Sequence, residues 1–236
     1  MTNNNLTVYK NTIERENSLI RNVYLFMTAG LALTALVAWF ASTNEAVLRY
    51  ILLNPFGSII LVVAQFAIVF FLSSRVENMR TGSAIAAFFA YSALTGISLS
   101  SIFIAYADLT IWHAFVTAAL MFVGCSVYAT FTKRNVARWG SYLVMGLWGL
   151  IVASLVTLFF RSGFLDFIIS LVGVVLFMGL TIWDTKRIVA MNQEYGAEMT
   201  STEHTKLGII GALNLYLDFI NIFLYLLRIY AASDRD

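Results

Sequence analysis

An aspartate stands in the middle of the last apolar stretch of the chain, LNLYLDFINIFLYLLRIY (Leu213–Tyr230). Polar residues recur there at i−4, i, i+3 and i+7: Asn214, Asp218, Asn221 and Tyr225. This spacing puts them on one helix face, which we call the polar stripe. A polar stripe on an apolar span should face protein or water rather than lipid, as a hydrogen-bonded seam or as part of an ion pathway. The carboxylate favours the pathway for Asp218, because an amide would make the same seam without the cost of a charge.

A second acid, Asp184, closes another apolar stretch in FMGLTIWDTKRI. It is either an interfacial aspartate paired with Lys186 or Arg187, or a deeper residue. The deeper position follows if the helix continues through 188–191, since both basic side chains could then reach the headgroups. Arg75, in FFLSSRVEN, is level with Asp184 in the topology derived below and is a candidate partner. Its alternative role is an ordinary positive anchor at the membrane surface.

The elements that carry these residues are long apolar helices. Hydrophobic residues make up 60% of the 236 residues and charged residues only 12%, far from the composition of soluble domains. The apolar runs of 19 to 24 residues are each long enough to cross a membrane: 20–41, 56–74, 82–105, 111–131, 139–160, 164–184 and 207–230. The fold class is therefore an all-α membrane protein, and Pro55 should break the chain before the second span.

The basic residues between the runs predict the orientation. With the N-terminus inside, the inner side holds eleven basic residues: Lys10, Arg15, Arg21, Arg75, Arg80, Lys133, Arg134, Arg138, Lys186, Arg187 and Lys206. The outer side holds four: Arg49, Arg161, Arg228 and Arg235. We expect a multi-pass membrane protein with a cytoplasmic N-terminus. Seven spans place the C-terminus outside, unless the last segment is re-entrant.

Three regions follow from this pattern: a polar cytoplasmic segment at 1–19, a transmembrane domain at 20–230 and a short polar tail at 231–236. The net charge of +2 gives no reason to expect nucleic-acid binding. The single cysteine, Cys125, excludes an intramolecular disulfide and should be a small packing residue. Gln65 is a further polar group within a span, without an assigned partner. The third span carries small and hydroxylated residues that favour close helix packing, with a pore-lining role as the alternative: Ser92, Thr95, Gly96, Ser98, Ser100 and Ser101.

Three segments resemble the bacterial branch of the Bax inhibitor (transmembrane BAX inhibitor motif) family: YSALTGISLSSIF (91–103), GLTIWDTKRI (179–188) and GALNLYLDFINIFLYLLRI (211–229). The resemblance runs through essentially all the spans and implies a bundle of seven helices in the bacterial inner membrane, with the seventh helix central. It also implies a pH-sensitive calcium leak controlled by two hydrogen-bonded aspartates, which fall on Asp184 and Asp218. An arginine of the second helix is expected to latch the closed state on Asp184, and Arg75 is the nearest match. Some relatives carry an acid where this chain has Gln65, so no role of that acid is transferred.

The implied mechanism is physically reasonable. Two carboxyl groups within hydrogen-bond reach at low dielectric cannot both ionise cheaply, so they should share a proton. The protonation state would then decide whether Asp184 pairs with Asp218 or with Arg75. An ionised pair would also attract Ca²⁺, weakly and in transit, and no other cofactor is expected.

The depths of the two aspartates conflict with this pairing. Counted from the inner face, Asp218 is about eleven residues, or roughly 16 Å, along its run, whereas Asp184 is near that face. The pair can meet only if the sixth helix extends past Asp184 or the seventh begins deeper.

Enzymatic alternatives are disfavoured. An intramembrane aspartyl protease needs Gly-x-Gly-Asp at its second site, but Asp218 follows Leu-Tyr-Leu. A seven-helix zinc hydrolase needs several histidines, and only His113 and His204 are present. We therefore expect a protein that is not an enzyme. The remaining alternative, also implied by the resemblance, is a regulatory partner of a membrane-bound AAA+ protease, with residues 1–19 as the handle.

Overall fold

The computed structural model of the protein describes residues 2–134, 136, 138–159, 162–195 and 199–233. Regular structure in this part of the chain is helical. The long helices are α1 (Thr2–Ser42), α2 (Pro55–Arg75), α3 (Thr81–Leu99), α4 (Asp108–Phe131), α5 (Trp139–Phe159), α6 (Gly163–Tyr195) and α7 (Ser201–Ser233). Short helical turns lie at Glu45–Val47, Leu48–Leu52, Val76–Asn78 and Ile102–Ala105.

Each long helix contains a segment long and apolar enough to cross a membrane, which makes seven such spans among the described residues. The prediction of an all-α membrane bundle is confirmed. α7 is the most buried span, with 61% of its most apolar window buried against 11–39% in the others.

The ends of several helices differ from the sequence prediction. The sixth run was predicted to end at residue 184, but α6 continues to Tyr195, and α7 begins at Ser201 rather than 207. The reason is that hydropathy marks only the stretch inside the membrane, whereas polar residues beyond it also continue the helix. α7 also runs unbroken for 33 residues, with no break at which a re-entrant segment could turn.

Local signals explain the start of α2. Pro55 occupies its first turn, and the side chain of Asn54 accepts a hydrogen bond of 2.9 Å from the backbone N–H of Phe56. The predicted break at Pro55 is therefore present. Arg161, Arg235 and residues 234–236 of the predicted tail lie outside the described residues.

The chain divides into two compact units. The first comprises Met1–Ala105 with Ile188–Leu213, and the second Tyr106–Arg187 with Asn214–Asp236. In the first unit α1 and α2 both pack on α3. A Cβ at Gly96 would lie 2.7 Å from the carbonyl oxygen of Thr34, so only glycine permits this approach. Thr34 donates to the carbonyl of Ser92, and Gln65 donates to Ser98, which supports the packing role of the small residues in the third span.

In the second unit α4 packs on α7 through aromatic rings. Phe115 and Phe122 of α4 both contact Phe219 edge-on, each with ring centroids 5.7 Å apart. Further along α7, Thr117 and Tyr230 are joined by a hydrogen bond of 2.9 Å. Phe122 meets Phe219, whereas the earlier His113 of α4 has its ring centroid 6.2 Å from that of the later Tyr230 of α7, so these two helices are antiparallel.

Candidate functional site

The two predicted aspartates lie inside the second unit, one on α6 and one on α7. Asp184 is 7% exposed and Asp218 is 4% exposed, so both carboxyl groups are removed from solvent. Neither lies at a helix end, because α6 continues through 188–195 and α7 begins 17 residues before Asp218. The sequence had put Asp184 near the inner face and Asp218 deeper in the membrane. This difference in depth disappears because α6 extends past Asp184.

The carboxyl groups of Asp184 and Asp218 are hydrogen-bonded to one another. An ionised carboxylate has only acceptors, so this contact requires a proton on one of the two groups. Asn214, at the start of the polar stripe, also hydrogen-bonds to Asp184. The structure therefore brings together the aspartate pair and one neighbour from the stripe.

Thr181 is a member of this network that the sequence reasoning missed. Its side chain hydrogen-bonds to Asp218, and its hydroxyl lies 2.8 Å from the carbonyl oxygen of Phe177, where it acts as donor. A hydroxyl has one hydrogen, so Thr181 donates either to the carbonyl of Phe177 or to the carboxyl group of Asp218 at any one time. The available signal was spacing: Thr181 precedes Asp184 by three residues and shares its helix face.

The polar stripe does not act as one unit. Asn221 donates a hydrogen bond of 2.8 Å to the carbonyl of Leu217 on its own helix. Tyr225 instead packs on α6, where a Cβ at Gly173 would lie 2.6 Å from its ring, and its hydroxyl contacts the side chain of Ser154. Only Asn214 and Asp218 of the stripe join the network of the pair.

The basic residues beside Asp184 do not neutralise it by direct pairing. Lys186 donates a hydrogen bond of 2.7 Å to the carbonyl of Thr132, at the C-terminal end of α4. Arg187 acts on Asp184 electrostatically, and its guanidinium lies 5.5 Å from the centre of the Trp183 ring. Among the described residues, the alternative of an interfacial aspartate paired directly with Lys186 or Arg187 is therefore not what the structure has.

Arg75 belongs to the first unit. It is exposed, with its guanidinium 5.8 Å from the centre of the Phe71 ring. The latch between Arg75 and Asp184 stays a prediction.

The neighbourhood of the pair is poor in metal ligands. Among the described residues there is no group of three or more histidine, cysteine, aspartate or glutamate side chains that could hold a metal. Cys125 is buried, as a packing residue should be. Two carboxyl groups, one amide and one hydroxyl suit brief contact with a hard cation better than tight binding of it.

Comparison with known proteins decides the family. The family model described as "Inhibitor of apoptosis-promoting Bax1" matches residues 16–235. The chain belongs to the Bax inhibitor family. Inner membrane protein YbhL of Escherichia coli K12 is 43% identical over 208 residues, which cover 88% of each chain. A Borreliella burgdorferi protein is 40% identical over 98% of this chain and 99% of its own length. YrjE of Lactococcus lactis is 35% identical over 99% of this chain and 100% of its own. The family resemblance inferred from the three segments is thus confirmed.

Proposed function

We propose that this Bax inhibitor family protein is a pH-sensitive calcium leak of the bacterial inner membrane and is not an enzyme. In this proposal Asp184 and Asp218 are the pH sensor and line the ion path, and Arg75 is the latch. The observation that carries the proposal is the hydrogen bond between two buried carboxyl groups within membrane spans. The inner-membrane location is supported by the relative YbhL, whose name places that protein there.

Proton loss supplies the switch in this mechanism. With one proton the pair is a stable hydrogen bond, but without it two like charges lie in contact. At about 4 Å and an effective dielectric constant of about 20, their repulsion is about 4 kcal/mol, enough to change a population about a thousandfold. The charged groups that act near the pair are Arg187 on α6 and, as a weak acid, Cys125 on α4.

The transported ion follows from the same groups. Carboxylate oxygens are hard ligands that suit Ca²⁺, but a Ca²⁺ site needs six to eight oxygen ligands to hold the ion tightly. The pair with Asn214 and Thr181 offers at most six oxygens, and these groups are already hydrogen-bonded to one another, so calcium would pass through as cargo. An amide at either aspartate would remove both the charge and the proton exchange.

The test is calcium flux into liposomes that contain the purified protein and a trapped calcium indicator. Flux should change with pH in the wild type, and Asp184→Asn and Asp218→Asn should each remove that pH dependence. Asp166→Asn is the matched control, because Asp166 is an exposed acid in the first turn of the same helix, α6. Equal calcium flux in vesicles without the protein and in vesicles with the protein at every pH would refute the calcium leak.

A second candidate function is regulation of a membrane-bound AAA+ protease. The observation that favours it is the length of α1, which begins at Thr2, while the first apolar span begins only at Leu19. Seventeen residues of polar helix thus precede the membrane segment and offer a binding segment for the protease. Deleting residues 2–18 should abolish any effect on protease turnover while leaving calcium flux intact. Protease turnover that is the same with and without residues 2–18 would contradict this function.

A further inference from the structure

Three helices of the second unit meet beside the aspartate pair. α4 contacts α7 through Phe122 and Phe219, and α6 contacts α7 through Thr181 and Asp218. α4 and α6 are joined where Lys186 donates to the carbonyl oxygen that follows the last residue of α4. All three contacts lie within a few turns of one another.

Two further hydroxyl groups lie at this level. Ser126 is one turn beyond Phe122 on α4, and Thr185 is one turn beyond Thr181 on α6. Both residues are buried, at 6% and 3% exposure. Phe122, one turn before Ser126 on α4, packs on Phe219, the residue directly after Asp218, which places this part of α4 beside the pair.

Three oxygens at this level are buried without a hydrogen-bond partner among the described residues: Asp218 Oδ2, Ser126 Oγ and Thr185 Oγ1. Nearly all buried polar atoms in proteins have a partner in the protein or in ordered water. An unpaired buried oxygen is costly, and three on adjoining helices would be an unusual cost. Their grouping therefore indicates a shared partner.

We propose an internal water site in which ordered water bonds to Asp218 Oδ2 and to the hydroxyl groups of Ser126 and Thr185. A buried water usually makes about three hydrogen bonds, which matches the three oxygens. Water can donate to the carboxyl oxygen and accept from both hydroxyls, so each group is satisfied at once. The site does not rest on calcium transport. Its consequence for the pair is that the shared proton has a water neighbour through which it can exchange.

The test uses the double variant Ser126→Ala/Thr185→Val, which removes both hydroxyls at almost constant volume. If water bonds to them, the apparent melting temperature of the detergent-solubilised protein falls, by about 2–4 °C for each lost bond. If no water bonds to the hydroxyls, their removal eliminates two unpaired buried polar groups, and the melting temperature rises. Thr157→Val is the matched control, because its hydroxyl bonds only to the carbonyl of Ser154 on its own helix. A double variant that melts at or above the wild-type temperature overturns the proposal.

A second measurement uses the wild-type protein and so does not depend on the folding of a variant. Infrared difference spectra between acidic and alkaline buffer should contain an O–H stretching band of bound water. That band should shift when the solvent is water labelled with the heavy oxygen isotope. A spectrum without any isotope-sensitive water band overturns the proposal.

Discussion

The hydrogen bond between Asp184 and Asp218 predicts that the stability of the folded protein falls as pH rises. The unfolded chain ionises both acids in water, whereas the folded pair holds one proton, so unfolding releases that proton. Stability is then full below the ordinary pKa of a free carboxyl group and falls with rising pH until the shared proton has dissociated from the folded pair. The loss is limited to about 4 kcal/mol, the repulsion of two charges at about 4 Å. At about 2–4 °C per kcal/mol for a chain of this size, the apparent melting temperature should fall by about 8–16 °C.

The assay is thermal unfolding in detergent between about pH 5 and about pH 8, followed by tryptophan fluorescence or circular dichroism. In Asp184→Asn the amide can donate to Asp218 without a shared proton, so the fall should shrink to less than half. Asp166→Asn, at the exposed start of α6, should keep the wild-type fall. An equal fall in the wild type and in Asp184→Asn would refute the reasoning, because the pH dependence would then come from other groups.

Three further predictions concern the contacts around the pair, each measured as the change in free energy of unfolding in detergent. Thr181→Val loses its bond to the carboxyl of α7 and should cost about 1–3 kcal/mol, more than Thr157→Val, whose hydroxyl bonds only within its own helix; equal costs would contradict the network. Gly173→Ala places a Cβ 2.6 Å from an aromatic ring of α7 and should cost about 1–3 kcal/mol. Gly149→Ala is the control, because nothing lies within 4 Å of a Cβ at Gly149, and it should be neutral or stabilising. Lys186→Met removes a bond of 2.7 Å to the end of α4 and should cost about 1 kcal/mol, and Lys186→Arg should restore part of it; no difference between the two would argue against that bond.

Hydropathy was enough to predict the spans but not the ends of the helices. The apolar runs matched all seven spans because a hydrocarbon core demands about 20 apolar residues whatever the neighbours are. The ends of α6 and α7 were misplaced because helical structure continues into polar residues such as those at 188–195. That error alone created the apparent conflict in depth between Asp184 and Asp218.

The candidate site was predicted only in part. Asp218 stood out because a charge in an apolar helix is costly, and the resemblance to the family linked it to Asp184. Thr181 was missed, and Asn221 was included although it bonds to its own helix. Spacing shows which side chains share a face, but not which neighbouring helix that face meets.

The sequence by itself determined that the protein is a helical membrane protein of the Bax inhibitor family with two acids in its last two spans. Both properties depend on composition and motif along one chain. Only the tertiary structure decided that Asp184 bonds to Asp218 and Asn214, and that Lys186 turns away to α4. The physical reason is that a hydrogen bond requires its atoms to approach within about 3 Å in the correct direction. Helix rotation and register set that approach, and residue spacing within one helix cannot specify them.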